Sequence, residues 1–223
     1  MKSAFIFDLD GTLIDSVYQH VIAWSEALDG EGLSLPVCRI HRKIGMSSEL
    51  FVKQILREIG GHIGTDSVDR IKQRQSKAFD RLKGQIRPLP GARELLAVLT
   101  QATIPWAIAT SGSPEATASN LKKLDLDTSK TMVLTGDDVE QGKPEPDLFL
   151  KAAEHLGVPI ERVYIVGDSI WDLLGARRCH ALGLGLTSGG VGEEELRAAG
   201  AIRVYKDPAD LLEHLDELAT HPK

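Results

Sequence analysis

Two aspartates separated by a single residue stand directly after a short apolar segment. Asp8 and Asp10 follow Ala4–Phe7 in the sequence Asp-Leu-Asp-Gly-Thr. This length and ending are typical of a buried strand that opens into a loop, and a turn at Gly11 can direct both carboxylates towards one point. Close carboxylates repel each other unless a cation or a proton compensates, so the motif predicts metal or acid–base chemistry. The alternative is an Asp-Gly turn whose carboxylates lie in solvent.

A second acidic motif, Gly-Asp-Ser-x-x-Asp, follows the apolar segment Val163–Val166 and contains Asp168 and Asp172. Gly-Asp is common in loops after strands, so this motif indicates a metal site only in combination with the first motif. Together with Asp8 it supplies a further hard oxygen ligand at the same edge of a sheet. Mg²⁺ prefers such oxygens, with water and substrate phosphate completing its coordination.

Two further motifs have the chemistry to hold a phosphate. Thr110-Ser111-Gly112-Ser113 ends another apolar segment and precedes a helical pattern, so its hydroxyls and backbone N–H groups can form a phosphate cradle. Ser113 is equally well explained as a simple helix N-cap. Lys143 lies between Gly142 and Pro144 in a stiff loop, where a fixed ammonium could stabilise transferring charge. A solvated surface lysine is the alternative.

The elements that must position these motifs alternate along the chain. Apolar segments typical of strands lie at 4–7, 106–109, 132–134, 163–166 and 182–186, and helical patterns lie at 92–100, 114–124, 146–156 and 170–179. This alternation predicts an α/β fold with a parallel sheet and helices on both faces. Ligands of such sheets bind beyond the carboxyl ends of the strands.

Residues 17–85 break this alternation. They contain amphipathic helical patterns around 18–28, 48–59 and 66–82, with no clear strand between them. We therefore expect a small all-helical cap domain at 17–85, inserted into a sheet domain made of residues 1–16 and 86–223. A helical insertion that leaves from the carboxyl edge of the sheet would lie over the site as a lid, with hinges near Asp15–Val17 and Arg87–Gly91.

Composition restricts the class of protein. The chain has 223 residues and a net charge of −6, so it carries no basic footprint for nucleic acid or for an anionic membrane. No segment reaches the roughly 20 apolar residues that cross a bilayer. Cys38 and Cys179 form no metal or redox motif, which favours reduced thiols and a cytoplasmic location. We expect a monomer or a homodimer.

The four motifs, taken in order, resemble those of the haloacid dehalogenase superfamily, and the resemblance covers nearly the whole chain. It implies a Rossmann-like core sheet and an α-helical cap of the first type. The segment from Asp15 to Trp24 is similar to the cap entry of the phosphoglycolate phosphatase and beta-phosphoglucomutase subfamily. The ending, from Gly189 to Pro208, also resembles phosphoglycolate phosphatases. The implied activity is hydrolysis of a small phosphorylated metabolite.

The resemblance also implies a role for each core residue. Asp8 would be the nucleophile that forms an aspartyl-phosphate, and Asp10 the acid and base, which requires partial protonation favoured by burial and a neighbouring carboxylate. Asp8, the Asp10 carbonyl and Asp168 would bind Mg²⁺, and Asp172 would orient these ligands. Thr110, Ser111 and Lys143 would bind the phosphoryl oxygens.

Other activities of the same fold are distinguished by single positions. Asp10 argues against dehalogenases, which lack this second carboxylate and need no metal, and against phosphonatases, which carry a small residue there. Beta-phosphoglucomutase is the serious alternative, since His20 and Trp24 match its cap entry. The mutase carries basic residues beside its cap Gly-x-Ser loop, where this chain reads Ile44-Gly45-Met46-Ser47-Ser48. It also carries an acid before the metal aspartate, where this chain has Gly167. Both differences argue for a phosphatase. A catalytically idle phosphate-binding regulator is the non-enzymatic alternative.

Substrate specificity should come from the cap, because the four motifs contact only phosphate and metal. The alternative for His20 and Trp24 is packing between helices, and the alternative for Arg42 and Lys43 is a solvated face. The candidates are His20, Trp24, Arg42, Lys43, Met46 and Ser47.

Overall fold

The structure is a computed structural model that describes residues 3–60, 65–127 and 131–218. Its main sheet is parallel, has six strands and follows the order β5-β4-β1-β6-β7-β8. The strands are β1 (Ala4–Phe7), β4 (Trp106–Ala109), β5 (Val133–Leu134), β6 (Val163–Gly167), β7 (Leu182–Leu186) and β8 (Ala201–Tyr205). A separate antiparallel pair joins β2 (Ile14–Asp15) to β3 (Arg87–Pro88).

The position of β1 in the sheet explains why the motifs meet. β1 pairs in parallel with β4 on one side and with β6 on the other. The loops that carry Asp8, Thr110 and Asp168 therefore leave three adjacent strands at the same edge. All four residues of β1 are buried, as expected of a strand covered by helices on both faces.

Six helices accompany the sheet, and separate apolar clusters contain Phe5 and Phe7 on one face and Ala4 and Ile6 on the other. This alternation follows from the period of two in a strand. The helices are α5 (Ala92–Gln101), α6 (Pro114–Leu121), α7 (Asp147–Leu156), α8 (Ile170–Arg178), α9 (Glu193–Ala199) and α10 (Pro208–Glu213).

Among the described residues, four helices lie between β2 and β3: α1 (Val17–Asp29), α2 (Val37–His41), α3 (Ser48–Ile59) and α4 (Thr65–Leu82). They build an apolar cluster of their own around Trp24, Phe51 and Ile55. The division into a cap domain and a sheet domain stays a prediction, and the β2–β3 pair lies between the two predicted hinges. Residues 61–64 of the predicted cap, with 1–2, 128–130 and 219–223 of the predicted sheet domain, lie outside the described residues.

The predicted α/β class and parallel sheet are confirmed, and the differences in detail include an edge strand and the end of one helix. β8 was not predicted, because its sequence Ala-Ile-Arg-Val-Tyr mixes exposed and buried positions at the sheet edge. The predicted helix at 114–124 ends at Leu121 and continues as a 3₁₀ turn over Lys122–Leu124. No helix in the described ranges combines the length and apolar character needed to cross a membrane.

Candidate active site

Lys143 lies at the centre of the acidic site. Its side chain is fully buried, and its Nζ contacts Asp8 Oδ1 and lies 2.7 Å from Asp172 Oδ1. The ammonium also stands 5.3 Å from the ring centroid of Phe149. Asp8 follows β1, whereas Asp172 is held on α8 by hydrogen bonds that Ser169 donates to its Oδ2. The stiff loop predicted around Lys143 thus directs the ammonium inwards between two carboxylates.

Asp168 completes a group of three carboxylates. Asp8, Asp168 and Asp172 each offer an oxygen, and these oxygens lie within 4.8 Å of one another. Thr12 fixes Asp168 by donating a hydrogen bond from Oγ1 to Asp168 Oδ1 at 2.9 Å. Asp8 and Asp168, which come from distant motifs, therefore lie close enough to share one cation.

Glycines make room around the free oxygen of Asp168. A Cβ atom added to Gly11 or to Gly189 would overlap Asp168 Oδ2. The Gly189 loop is in turn tied to the first motif, since Ser188 Oγ donates a hydrogen bond to the Gly11 carbonyl oxygen at 2.6 Å. Both loops thus approach Asp168 Oδ2 through a glycine, while the Thr12 side chain binds the other oxygen, Oδ1.

Burial dominates the protonation of the cluster. It raises the pKa of Asp8 to about 7, although the Lys143 ammonium acts in the opposite direction. The pKa of Asp168 is raised well above its usual range by burial and by the charges of Asp8 and Asp172. Burial alone would lower the pKa of Lys143, but the carboxylates of Asp172 and Asp8 raise it, so this lysine is charged.

The donor set fits a hard divalent cation. If all are ionised, three buried carboxylates and one ammonium leave two uncompensated negative charges, which is costly in a protein interior. Carboxylate oxygens are the ligands that Mg²⁺ prefers. Asp8 and Asp168 could ligate such an ion, while Asp172 is occupied by Lys143 and Ser169 and is suited to orienting them.

The Asp10 carboxylate has a hydrogen-bond network of its own. Its Oδ1 accepts hydrogen bonds from Ser16 Oγ at 2.5 Å and from Asn120 Nδ2 at 3.0 Å, and His20 Nε2 lies 3.4 Å away. Although burial acts to raise the pKa of Asp10, His20 and Ser16 outweigh it, so the pKa is lowered. The sequence-based expectation of partial protonation is therefore wrong for the unliganded site, because these donors stabilise the carboxylate.

The loop after β4 has the features of a phosphate cradle. Thr110 is buried, and its Oγ1 accepts a hydrogen bond from the Gly112 N–H at 3.0 Å, which leaves its hydroxyl proton free to donate. Ser111 Oγ donates to the Gly45 carbonyl oxygen in the predicted cap at 3.1 Å. Ser113 caps α6 through the Ala116 N–H, as its alternative explanation predicted.

A cavity of about 610 Å³ extends from this loop to the helices between β2 and β3. Such a volume falls in the range of small-molecule sites. Its lining combines both parts of the chain: Asp8, Asp10, Thr110 and Ser111 with His20, Trp24, Lys43 and Met46.

The proposed specificity residues occupy different places. His20 stacks on Phe79, and Trp24 stacks on Phe51, with ring centroids 4.0 and 4.1 Å apart. Packing therefore accounts for part of their role, while both also line the cavity.

The remaining candidates are tied to other groups. Lys43 lines the cavity, but its Nζ lies 2.6 Å from Glu58 Oε1. Arg42 does not line the cavity and pairs with Glu195 at 2.6 Å on the surface. Ser47 caps α3 and borders a neighbouring cavity.

Four polar residues of the site were not assigned a role from the sequence: Thr12, Ser16, Asn120 and Ser169. Thr12 and Ser169 lie inside the motifs, so their positions were available and only their partners were not. Ser16 and Asn120 bind Asp10 from outside the motifs. Asn120 lies 110 positions from Asp10, and nothing local in its helix indicates the contact.

Comparison with known proteins identifies the family. The model of haloacid dehalogenase-like hydrolases matches residues 2–180. Hexitol phosphatase A of Escherichia coli (strain K12) is 34% identical over 182 residues, covering 80% of this chain and 81% of that protein. Phosphoglycolate phosphatase of the same strain is 29% identical over 227 residues, covering 92% and 89%.

Solved structures agree with this assignment. A hydrolase from Pseudomonas syringae is 54% identical with a TM-score of 0.95, covering 98% of this chain and 100% of that one. A putative beta-phosphoglucomutase from Bacteroides vulgatus shares the fold at 20% identity and a TM-score of 0.86, covering 97% and 88%. The chain therefore belongs to the haloacid dehalogenase-like hydrolase family, and its curated relatives support its assignment as a phosphatase within that family.

Proposed function

We propose that the chain is a Mg²⁺-dependent phosphatase that hydrolyses a small phosphorylated metabolite through an aspartyl-phosphate on Asp8. The observation that carries this proposal is the convergence of Asp8, Asp168 and Asp172 around Lys143 at the carboxyl edge of the sheet. Asp8, Asp168 and the Asp10 carbonyl would hold Mg²⁺. When bound, this ion supplies charge neutralisation and alignment for an anionic phosphoryl group.

In the first half-reaction, a carboxylate oxygen of Asp8 attacks phosphorus. The bond from phosphorus to the leaving oxygen breaks, its electron pair stays on that oxygen, and Asp10 gives the oxygen a proton. Thr110 and the Ser111 N–H bind the phosphoryl oxygens, and Lys143 offsets their charge. A bound phosphate ester brings negative charge close to Asp10, which favours the protonated form that the unliganded network disfavours.

In the second half-reaction, water attacks phosphorus of the aspartyl-phosphate and gives its proton to Asp10. Asp8 leaves as a carboxylate and inorganic phosphate is released. The helices over the cavity would exclude bulk water during the first step and admit one molecule for the second. Tight positioning and charge stabilisation supply most of the acceleration in phosphoryl transfer.

We favour hydrolysis over the mutase alternative because of Gly167. The mutase carries an acid before the metal aspartate, but in this chain a side chain at 167 would overlap the Asp172 side chain. Asp172 thus takes the space that the mutase acid would need. Relatives named hexitol phosphatase and phosphoglycolate phosphatase support the proposal of a small phosphorylated metabolite as substrate. Cys38 and Cys179 are both free thiols, consistent with the proposed cytoplasmic location.

The test is turnover of p-nitrophenyl phosphate by protein stripped with chelator, with and without added Mg²⁺, followed by a panel of phosphorylated metabolites. We expect activity that returns with Mg²⁺ and a decrease of at least about 10³-fold in kcat for Asp8→Asn. A folded protein that binds phosphate but turns over none of these compounds would favour the idle regulator instead.

A further inference from the structure

Asn120, the only asparagine in the sequence, lies at the active site on α6. It is 1% exposed, and its Nδ2 donates a hydrogen bond to Asp10 Oδ1 at 3.0 Å. Because the amide nitrogen faces Asp10, the amide oxygen faces away from it. That oxygen, Asn120 Oδ1, has no hydrogen-bond partner within the described part of the chain.

The unpaired amide oxygen makes Asn120 a costly choice for stability. A buried polar atom without a partner loses its hydration and gains nothing in return, whereas an apolar side chain would avoid this loss. The next residue, Leu121, packs into the main apolar cluster and shows what suits the interior side of α6. The contact with Asp10 is the feature of this position that an apolar side chain could not replace.

The hydrogen bonds to Asp10 distinguish its two oxygens. Ser16, Asn120 and His20 all approach Oδ1. Oδ2 lies 3.8 Å from the position of a Cβ built on Gly112, in the loop that forms the phosphate cradle. Oδ1 is therefore saturated with donors, while Oδ2 is the oxygen on the side of the phosphate.

We propose that Asn120 is a positioning residue that holds Asp10 Oδ1 so that Oδ2 exchanges the proton with the leaving group. This rests on the proposed function, in which Asp10 is the acid and base. Ser16 and Asn120 belong to the predicted sheet domain, while His20 stands on α1 of the predicted cap. The hydrogen bond from Asn120 to Asp10 therefore persists when the cap moves, whereas the contact of His20 with Asp10 does not.

The test compares three phosphomonoesters whose leaving oxygens increase in basicity: p-nitrophenyl, phenyl and benzyl phosphate. Nitrophenolate departs without a proton, whereas a benzyl alkoxide requires one. A misplaced acid should therefore slow the reaction of benzyl phosphate selectively. The value of kcat/KM covers the steps up to phosphoenzyme formation and excludes its hydrolysis. For Asn120→Leu we expect kcat/KM to fall at least about tenfold more for benzyl than for p-nitrophenyl phosphate.

A second variant and a control separate positioning from general damage. Asn120→Ala removes the amide donor without adding apolar bulk or charge, so it should show the same selective loss even if the leucine variant does not fold. Leu121→Ala, in the apolar cluster of the same helix, should lower stability and leave the ratio of the two substrates unchanged. Folded Asn120 variants that keep the wild-type ratio within about twofold would overturn the proposal.

Asp10→Asn distinguishes this proposal from the proposed function. A selective loss in Asp10→Asn but in neither Asn120 variant would refute the role of Asn120 and leave the mechanism intact. If Asp10→Asn shows no selective loss either, Asp10 is not the acid, and the positioning role of Asn120 fails together with that step of the proposed mechanism, whereas the aspartyl-phosphate on Asp8 is tested separately.

Discussion

At the scale of single residues, the charge balance of the site depends on Lys143. It is fully buried between Asp8 and Asp172, and removal of one partner from such a group typically destabilises a protein by about 3–5 kcal/mol. The lysine therefore has two roles, because it stabilises the folded cluster and also offsets the charge of a bound phosphoryl group. The identity of this residue could be predicted from its motif, but its second partner, Asp172, required the structure.

Gly189 offers the sharpest residue-level prediction. A methyl group there would overlap Asp168 Oδ2, so Gly189→Ala must displace a proposed metal ligand. We expect the affinity for Mg²⁺ to fall by about 10–100-fold, as measured by calorimetric titration. Gly192→Ala is the matched control in the same loop, because a Cβ at Gly192 has nothing within 4 Å. Equal Mg²⁺ affinity in both variants would show that Asp168 is not a ligand.

At the scale of elements, contacts of the predicted cap with the sheet domain concentrate near Gly45. Its carbonyl oxygen accepts a hydrogen bond from Ser111, and Trp171 Nε1 donates to the Arg42 carbonyl oxygen at 3.1 Å. At the end of α2, His41 Nε2 lies 2.7 Å from the Gly189 carbonyl oxygen. The predicted lid thus rests on both the phosphate loop and the Asp168 loop.

Gly45→Ala should prevent this seating. Gly45 has φ +96°, and an added Cβ would lie 2.5 Å from Ser169 Oγ. Gly60→Ala is the matched control: its φ is +70°, so the backbone strain is comparable, but nothing lies within 4 Å. We expect Gly45→Ala to lower kcat/KM for p-nitrophenyl phosphate about tenfold or more, and Gly60→Ala to change it less than about twofold. If the two variants behave alike, backbone strain and not closure explains the effect.

The elements also show where sequence reasoning succeeds and where it stops. Strands such as β1 and β6 were predictable because burial on both faces makes them continuously apolar. β8 was not, because an edge strand needs apolar residues at only some positions. The pairing of β2 with β3 joins residues more than 70 positions apart through two backbone pairs, which no local pattern encodes.

The same limit applies to the site. Motif residues such as Asp8, Thr110 and Asp168 were found because each follows a recognisable strand. The contact from Asn120 to Asp10 crosses between two elements and depends on how α6 packs, so the sequence contains no spacing that indicates it.

At the scale of the whole molecule, the buried carboxylates link stability to pH and metal. Burial raises the pKa of both Asp8, to about 7, and Asp168. The metal-free fold therefore binds these protons more tightly than the unfolded chain does. For Asp8 this stabilisation is complete below the ordinary carboxyl pKa of about 4 and is lost as the pH rises through about 7, while for Asp168 it is lost as the pH rises through a pKa well above the ordinary range.

Mg²⁺ would replace these protons, so its stabilising effect should grow with pH. We expect the increase in Tm on adding Mg²⁺ to be small near about pH 5 and to level off near about pH 8. Scanning calorimetry with chelator and with saturating Mg²⁺ at each pH measures this difference directly. Asp168→Asn, which removes one of the two proposed carboxylate ligands, should flatten the dependence. A Tm increase of the same size at both ends of the range would contradict the assignment of the cluster as the metal site.

The identity of the residue phosphorylated during turnover tests the central claim most directly. Protein quenched during turnover with Mg²⁺ and p-nitrophenyl phosphate is reduced with borohydride, which converts an aspartyl-phosphate to homoserine, and the peptides are analysed by mass spectrometry. Formation of an aspartyl-phosphate on Asp8 predicts homoserine at position 8 in the wild type and none in Asp8→Asn. Sustained turnover with position 8 unmodified, or with the phosphoryl group on another residue, would contradict it.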